Sequence, residues 1–120
     1  MRGYVDDELR ALALVLVGIR GSTPGVEMLA WVDTAFNGSL VLPRDIALRV
    51  GLEVESTAEA VLADGSKVEL ETFGCAIRWL GNTYDTQVVT NESKFGLIGT
   101  EPLKGRKLTI DYGGKTVTII

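Results

Sequence analysis

The stretch V-D-T-A-F-N-G-S-L-V-L-P, residues 32–43, places an acid, a hydroxyl group and a small side chain between two apolar segments. The acid is Asp33, and Thr34 and Ala35 follow it. Aspartate often caps a turn with its own side chain and Asn37-Gly38 is a common turn pair, so the tripeptide alone favours a structural turn. Because apolar strands are predicted on both sides, the carboxylate should lie in a loop between them, where burial requires nearby hydrogen-bond donors. Asp33 is therefore either a turn former or a catalytic carboxylate, and the rest of the chain decides between them.

The composition describes a small, acidic chain without histidine. It has 120 residues, 46% of them hydrophobic, a formal net charge of −4 and one cysteine, Cys75. That length predicts a single domain over residues 1–120 with a core able to fold alone. The acidic balance argues against nucleic acids and membranes as partners, since anionic surfaces need a basic face. A lone cysteine excludes an intramolecular disulfide and fits a cytoplasmic location.

The missing histidine limits the chemistry that the chain can perform. Ser-His-Asp catalysis, Cys-His catalysis and histidine-ligated metal sites are impossible within it. Cys75 lies in a predicted strand with no histidine to activate it, so we interpret it as a small buried hydrophobe. The longest apolar run near the start, Ala11–Ile19, is about half the ~20 residues of a membrane helix and predicts a buried strand.

Turn signals recur about every eight to twelve residues, a spacing that predicts an all-β fold of the sandwich or barrel kind with one or two short helices. The predicted strands are residues 12–20, 27–32, 39–42, 57–63, 66–72, 75–80, 84–90, 107–112 and 115–120. The predicted hairpin turns are Asp64-Gly65, of type I′, Gly81-Asn82 and Gly113-Gly114. The predicted helices are residues 43–52, with Pro43 at the start and Gly51 at the end, and one turn within residues 101–105.

The two ends of the chain carry opposite signals. Asp6-Asp7-Glu8 suggests a solvated, frayed N-terminal segment. The last strand ends apolar at Ile120, and an open apolar edge there would invite aggregation unless another strand pairs with it. This already hints at an oligomer.

Taken together, these segments resemble the retropepsin-like aspartic proteases, in particular their small single-domain prokaryotic members. The matching elements occur in the family's order over most of the chain. They are the opening stretch, the helix P-R-D-I-A-L-R-V-G-L, the flap-like hairpin V-L-A-D-G-S-K-V-E-L, the element L-I-G-T-E-P-L-K-G and the closing L-T-I-D-Y. The resemblance implies a retropepsin-like β-barrel that is active as a homodimer, with terminal strands that pair between protomers.

The resemblance also implies an aspartic endopeptidase that cleaves peptide or protein substrates without a metal or cofactor. Asp33 of each protomer would meet its mate and activate a water molecule, Thr34 would hydrogen-bond across the interface, and Ala35 would present its backbone N–H. The family's commonest third residue is glycine, and the methyl of Ala35 restricts the backbone if this position needs a positive φ. The other implied site residues are the flap, Ala63, Asp64, Gly65 and Ser66, and the residues that support the Asp loop, Leu97, Ile98 and Gly99.

The alternative is a dimerisation or peptide-binding module that keeps the same fold with weak or no hydrolysis, since fold does not imply function. The retained pair Asp33 and Thr34 favours the enzyme. If it is one, two copies of Asp64 near the dyad predict that basic or neutral peptides are preferred over acidic ones.

Overall fold

The computed structural model describes all 120 residues as ten strands with one short α-helix and one 3-10 helix. The strands are β1 Arg2–Val5, β2 Ala11–Gly18, β3 Val26–Val32, β4 Leu40–Pro43, β5 Val54–Val61, β6 Lys67–Trp79, β7 Asn82–Asn91, β8 Gly96–Ile98, β9 Leu108–Asp111 and β10 Thr116–Ile119. The helices are α1 Arg44–Val50 and the 3-10 helix Glu101–Leu103. The predicted all-β fold with short helices is confirmed. Neither helix has the length and apolar character needed to cross a lipid bilayer.

All ten strands belong to one sheet in the order β5-β6-β7-β4-β8-β3-β2-β1-β10-β9. An additional pairing between β6 and β2 closes the middle of this sheet into a barrel. Alternate side chains of the barrel strands point inward, as the two-residue period of a strand requires. Val17, Ile77 and Ile98 are among those with no exposed surface. The barrel therefore encloses the core, while β5 extends it at one end and β1, β10 and β9 extend it at the other.

Strand β6 is a single long strand that changes its partner halfway. Residues 67–73 pair with β5, and residues 76–78 pair with β2 along the same edge. The first part is mostly exposed, whereas the second part is mostly buried in the barrel. The predicted break between residues 72 and 75 is therefore wrong: Gly74 lies within the strand.

The helix α1, Arg44–Val50, lies within the predicted range 43–52 but begins one residue later, because Pro43 is the last residue of β4. Pro43 precedes the first helical residue, and Gly51 ends the helix in the left-handed conformation with φ 84°. Ile46 and Val50 pack against the core from the same side of the helix.

Two hairpin turns differ from their predictions. In the β5–β6 turn, Gly65 has φ 85° but Asp64 does not have a positive φ, so the turn is not of type I′. The Gly65 N–H donates to the Leu62 carbonyl at 2.9 Å, as in a type I turn followed by a glycine bulge. In the β6–β7 turn, Leu80 and Gly81 both have positive φ, 51° and 80°, and they form the type I′ turn one residue earlier than predicted. Leu80 tolerates this backbone because its side chain packs against the core.

Two expectations for the chain ends need correction: the N-terminal segment is not frayed, although Asp7 and Glu8 are exposed, and the last strand has no open edge. The N-terminal segment forms β1, which pairs with both β2 and β10. In the turn that follows it, the Asp6 carboxylate accepts hydrogen bonds from the Arg10 N–H at 2.9 Å and the Arg10 Nε at 2.7 Å. The terminal strand β10 is paired on both sides within the chain, by β1 and β9, so it presents no open edge. The free edge on this side of the sheet belongs to β9.

Candidate active site

Asp33 begins the loop that leaves β3. Its N–H donates to the Ile98 carbonyl at 2.9 Å, and its own carbonyl accepts the Phe36 N–H at 3.2 Å. Its Oδ1 accepts the Ala35 N–H at 3.0 Å. The side chain is half-buried and forms no ion pair, while Thr34 and Ala35 are exposed. The loop thus fixes one carboxylate oxygen through the Ala35 N–H, and no positively charged side chain pairs with the carboxylate.

The short strand β8 lies between β3 and β4 and holds this loop from below. It runs parallel to β3 and antiparallel to β4. Beyond it, the Gly99 N–H donates to Ser39, the Thr100 N–H to Phe36 and the Glu101 N–H to Gly38, all to carbonyl oxygens at 2.8–3.2 Å. The whole segment between Asp33 and β4 is therefore tied to the chain that follows β8. Of the predicted supporting residues 97–99, Ile98 accepts the Asp33 N–H through its carbonyl and the Gly99 N–H donates to the Ser39 carbonyl.

Gly99 and Ala35 show how closely the loop is packed. A Cβ at Gly99 would come within 2.7 Å of both the Phe36 carbonyl oxygen and its ring, and closer still to the Gly38 carbonyl. Only glycine therefore fits at position 99. Ala35 does not have a positive φ, so its methyl group is accommodated without backbone strain.

A cleft of about 870 Å³ opens beside the loop. Its floor is formed by residues 35–40, and its other walls by the β5–β6 hairpin and by residues 86–89 of β7. The hairpin contributes its stem, residues 58–61 together with Leu70 and Thr72. The predicted flap residues 63–66 form the tip of the hairpin and do not line the cleft, and Asp33 and Thr34 lie just outside its lining. Alternation in the strand could have indicated Leu70 and Thr72, which share a face of β6, but not residues 58–61, which are consecutive and so belong to both faces of β5.

The cleft has an acidic lining. Glu59 and Glu101 are its charged residues, and no lysine or arginine lines it. Glu59 lies 3.6 Å from Lys67 in an exposed pair, whereas Glu101 forms no ion pair. Burial, together with the negative charge of Glu101, raises the pKa of Tyr84. From the sequence, Glu101 is only the first residue of the predicted helical turn at 101–105, and no local signal places it in a cleft.

Asp64 is engaged locally at the hairpin tip. Its Oδ1 accepts the Ser66 hydroxyl at 2.6 Å and the Ser66 N–H at 2.9 Å, and these hydrogen bonds lower the pKa of the carboxyl. Asp64 lies at the tip, outside the cleft lining, and the acidic residues of the lining are Glu59 and Glu101.

Cys75 lies in β6 with no exposed surface, and burial raises its pKa to about 11. The thiol therefore stays protonated and inaccessible, as a structural cysteine does. No group of three or more cysteine, aspartate or glutamate side chains comes close enough together to hold a metal ion.

The closed barrel, with an aspartate loop supported by an inserted strand and covered by a hairpin, defines a retropepsin-like fold. The structure is similar to that of a retropepsin-like aspartic protease from Rickettsia conorii, with a TM-score of 0.68 and 14% sequence identity over 99% of this chain and 88% of the other. It is also similar to the EIAV protease in an inhibitor complex, with a TM-score of 0.55 and 19% identity over 83% of this chain and 90% of that one. The Simian Foamy Virus protease matches with a TM-score of 0.57 and 10% identity, covering 78% of this chain and 91% of that one. No protein-family model and no curated protein sequence matches the chain.

Proposed function

We propose that this chain is an aspartic endopeptidase that works as a homodimer of single-domain protomers. The observation that carries the proposal is the Asp33 loop itself: a carboxylate without a counter-ion, held by a backbone donor at the end of a cleft with a hairpin over it. The solved structures with this fold include a retropepsin-like aspartic protease from Rickettsia conorii and two viral proteases, one of them with an inhibitor bound. The free cysteine supports a cytoplasmic setting.

The chemistry needs two carboxylates, so the site is complete only when a second copy supplies the partner's Asp33. Two carboxyl groups in contact cannot both ionise readily, so they share a proton and titrate as a coupled pair, as in known aspartic proteases. The ionised group takes a proton from a water molecule, which attacks the scissile carbonyl carbon. The protonated group donates its proton to the carbonyl oxygen. When the resulting diol collapses, the carboxyl group that took the water proton gives it to the leaving nitrogen, and the other carboxylate takes a hydroxyl proton from the diol, so the C–N bond breaks and the shared proton is restored.

Two features of the protomer support association with a second copy. Thr34 and Ala35 are exposed beside Asp33, and the Thr34 hydroxyl makes no hydrogen bond within the chain, so it is available to a second copy. The sheet has free edges at β5 and β9, and β9 is the edge next to the terminal strand β10, which is itself paired on both sides within its own chain.

The test is Asp33→Asn, measured with a panel of fluorogenic peptides across the acid range and with sedimentation of the same samples. We expect hydrolysis to disappear while the dimer persists, because an amide cannot accept the proton from water. Asp45→Asn is the matched control, since Asp45 is an exposed carboxylate on α1, away from the loop. Hydrolysis that survives in the Asp33 variant, or that comes from a monomer, would refute the proposal. A dimer that binds peptides and never cleaves them would support the alternative, a peptide-binding module.

A further inference from the structure

The base of the β5–β6 hairpin contains a feature that the aspartate chemistry does not use. Val54 pairs with Phe73 and Ser56 pairs with Thr72, so Glu55 is an extra residue on its strand. Such a bulge bends the strand and turns the side chain of the extra residue in a new direction. Here the bulge directs the Glu55 carboxylate out of the hairpin, toward the end of β2.

Arg20, just beyond β2, receives that carboxylate with two guanidinium nitrogens. Its Nη2 donates to Glu55 Oε1 at 2.8 Å, and its Nε donates to Oε2. The same Nη2 donates to the Thr86 carbonyl of β7 at 3.2 Å. Next to it, the Gly21 N–H donates to Asp85 Oδ1 at 3.0 Å. A two-point contact of this kind fixes geometry as well as charge. One guanidinium therefore links β2, β5 and β7.

Gly74 makes room for this contact. It lies where the edge of β6 passes from β5 to β2, and its N–H donates to the Glu53 carbonyl at 3.1 Å. A Cβ on Gly74 would come within 2.6 Å of the Glu55 carboxyl carbon and 2.7 Å of Arg20 Nε. The missing side chain, the bulge and the arginine thus form one arrangement.

We propose that Arg20 and Glu55 are positioning residues that hold the β5–β6 hairpin over the cleft; the inference rests on the proposed peptidase function. Beyond this contact the hairpin is mostly exposed and receives little support from the core. In β7, the Thr86 carbonyl accepts a hydrogen bond from Arg20 and the Gln87 amide donates one to Glu55, and both residues also line the cleft. The contact therefore determines how far the hairpin stem stands from the opposite wall, and so how tightly a peptide is held.

The groups that face Glu55 make this contact resistant to acid. The Arg20 hydrogen bonds lower the pKa of Glu55 against the opposing effects of desolvation and of Asp85. A lowered pKa means that the contribution is complete above the ordinary glutamate range and is lost only as pH falls through the lowered value. The hairpin is thus still held at the mildly acid pH that a shared-proton dyad favours.

The experiment measures amide hydrogen exchange in residues 56–72 together with KM and kcat on a cleaved peptide. Arg20→Gln and Glu55→Gln should each speed exchange in the hairpin about two- to fivefold and raise KM by a similar factor, with kcat changed less than about twofold. Arg20→Lys keeps the charge without the two-point contact, so its exchange rate and KM should lie between those of the unmodified protein and Arg20→Gln. Asp7→Asn is the control, because Asp7 is in an exposed ion pair with Lys115 outside the cleft lining and should leave all three quantities unchanged.

A second variant approaches the same contact from the backbone. Gly74→Ala should displace the ends of the Arg20 and Glu55 side chains and reproduce the effects of Glu55→Gln, with little added effect when the two changes are combined. The inference is overturned if all variants have the same hairpin exchange rates and the same KM as the Asp7→Asn control. It is also overturned if exchange becomes faster throughout the barrel. If no form cleaves any peptide, the proposed function fails, while faster exchange confined to residues 56–72 still supports the positioning contact.

Discussion

Gly99→Ala is the change with the clearest expected consequence for the candidate site. The new methyl would meet two backbone carbonyls, those of Phe36 and Gly38, and the Phe36 ring. The ring can rotate away, but the carbonyls cannot, because they accept the Thr100 and Glu101 N–H groups at 2.8 and 3.2 Å. Relief therefore requires the Asp33 loop to move away from the chain that follows β8.

The cost can be worked from these contacts. Inserting a methyl group into a packed site costs about 1–3 kcal/mol, and weakening one or two of the hydrogen bonds adds about 1 kcal/mol. We expect Gly99→Ala to lower the free energy of unfolding by about 2–4 kcal/mol, or to lower Tm by roughly 6–16 °C for a chain of this size. Peptidase activity should fall more than the remaining folded fraction explains, because the loop that carries Asp33 is displaced.

The assay is urea denaturation at a fixed protein concentration, since dimerisation makes stability depend on concentration. Gly25→Ala is the matched control: nothing lies within 4 Å of a Cβ at that position, and its φ is not positive. That variant should be neutral or more stable by up to about 1 kcal/mol, because alanine has less freedom in the unfolded chain. A Gly99 variant within about 0.5 kcal/mol of the Gly25 variant would refute the packing argument.

Three further predictions concern other parts of the molecule. Trp79→Phe removes a buried indole N–H that donates to the Pro102 carbonyl at 3.0 Å, so unfolding should become easier by about 1–3 kcal/mol in denaturation experiments. Trp31→Phe, at an exposed position, is its control and should change stability by less than about 0.5 kcal/mol; equal effects would contradict the assigned role. Cys75 should react with a thiol reagent only at the rate at which the barrel opens, as followed by mass spectrometry, and rapid labelling of the folded protein would contradict its burial. Glu101→Gln should reduce kcat/KM about fivefold for a lysine-containing peptide relative to its norleucine counterpart, since one unpaired charge in the cleft is removed; an unchanged ratio would exclude Glu101 from specificity.

The sequence predicts those parts of the fold that are determined by residues close together in the chain. The α1 helix is predicted because Pro43 and Gly51 each satisfy a backbone requirement at its ends. The strands around Asp33 are predicted because the apolar pattern resumes directly after the loop. The hairpin over the cleft is predicted because Asp64-Gly65 interrupts two alternating segments.

The parts that escape prediction depend on residues distant in sequence. The strand Arg2–Val5 has too short a pattern to be recognised, and it forms because β2 and β10 lie on either side of it. Gly74 resembles a strand break until the ion pair that occupies its open side is known. The turn at Leu80-Gly81 places leucine at a positive φ because of its core packing, which no local rule anticipates. In the same way, Glu101 belongs to the cleft only because the chain after β8 returns beneath the Asp33 loop.

The insertion of β8 between β3 and β4 also governs the order in which this molecule can be made. Strands β3 and β4 are neighbours along the chain, yet they are joined to each other through β8, a segment that is synthesised much later. Contacts between segments so far apart in sequence close slowly, because the intervening chain must lose its freedom first. During synthesis the groove between β3 and β4 therefore remains open until residues 96–98 have left the ribosome. Because the Asp33 loop is tied to the chain that follows β8, an incomplete chain that ends before residues 96–101 would lack the hydrogen bonds that order this loop.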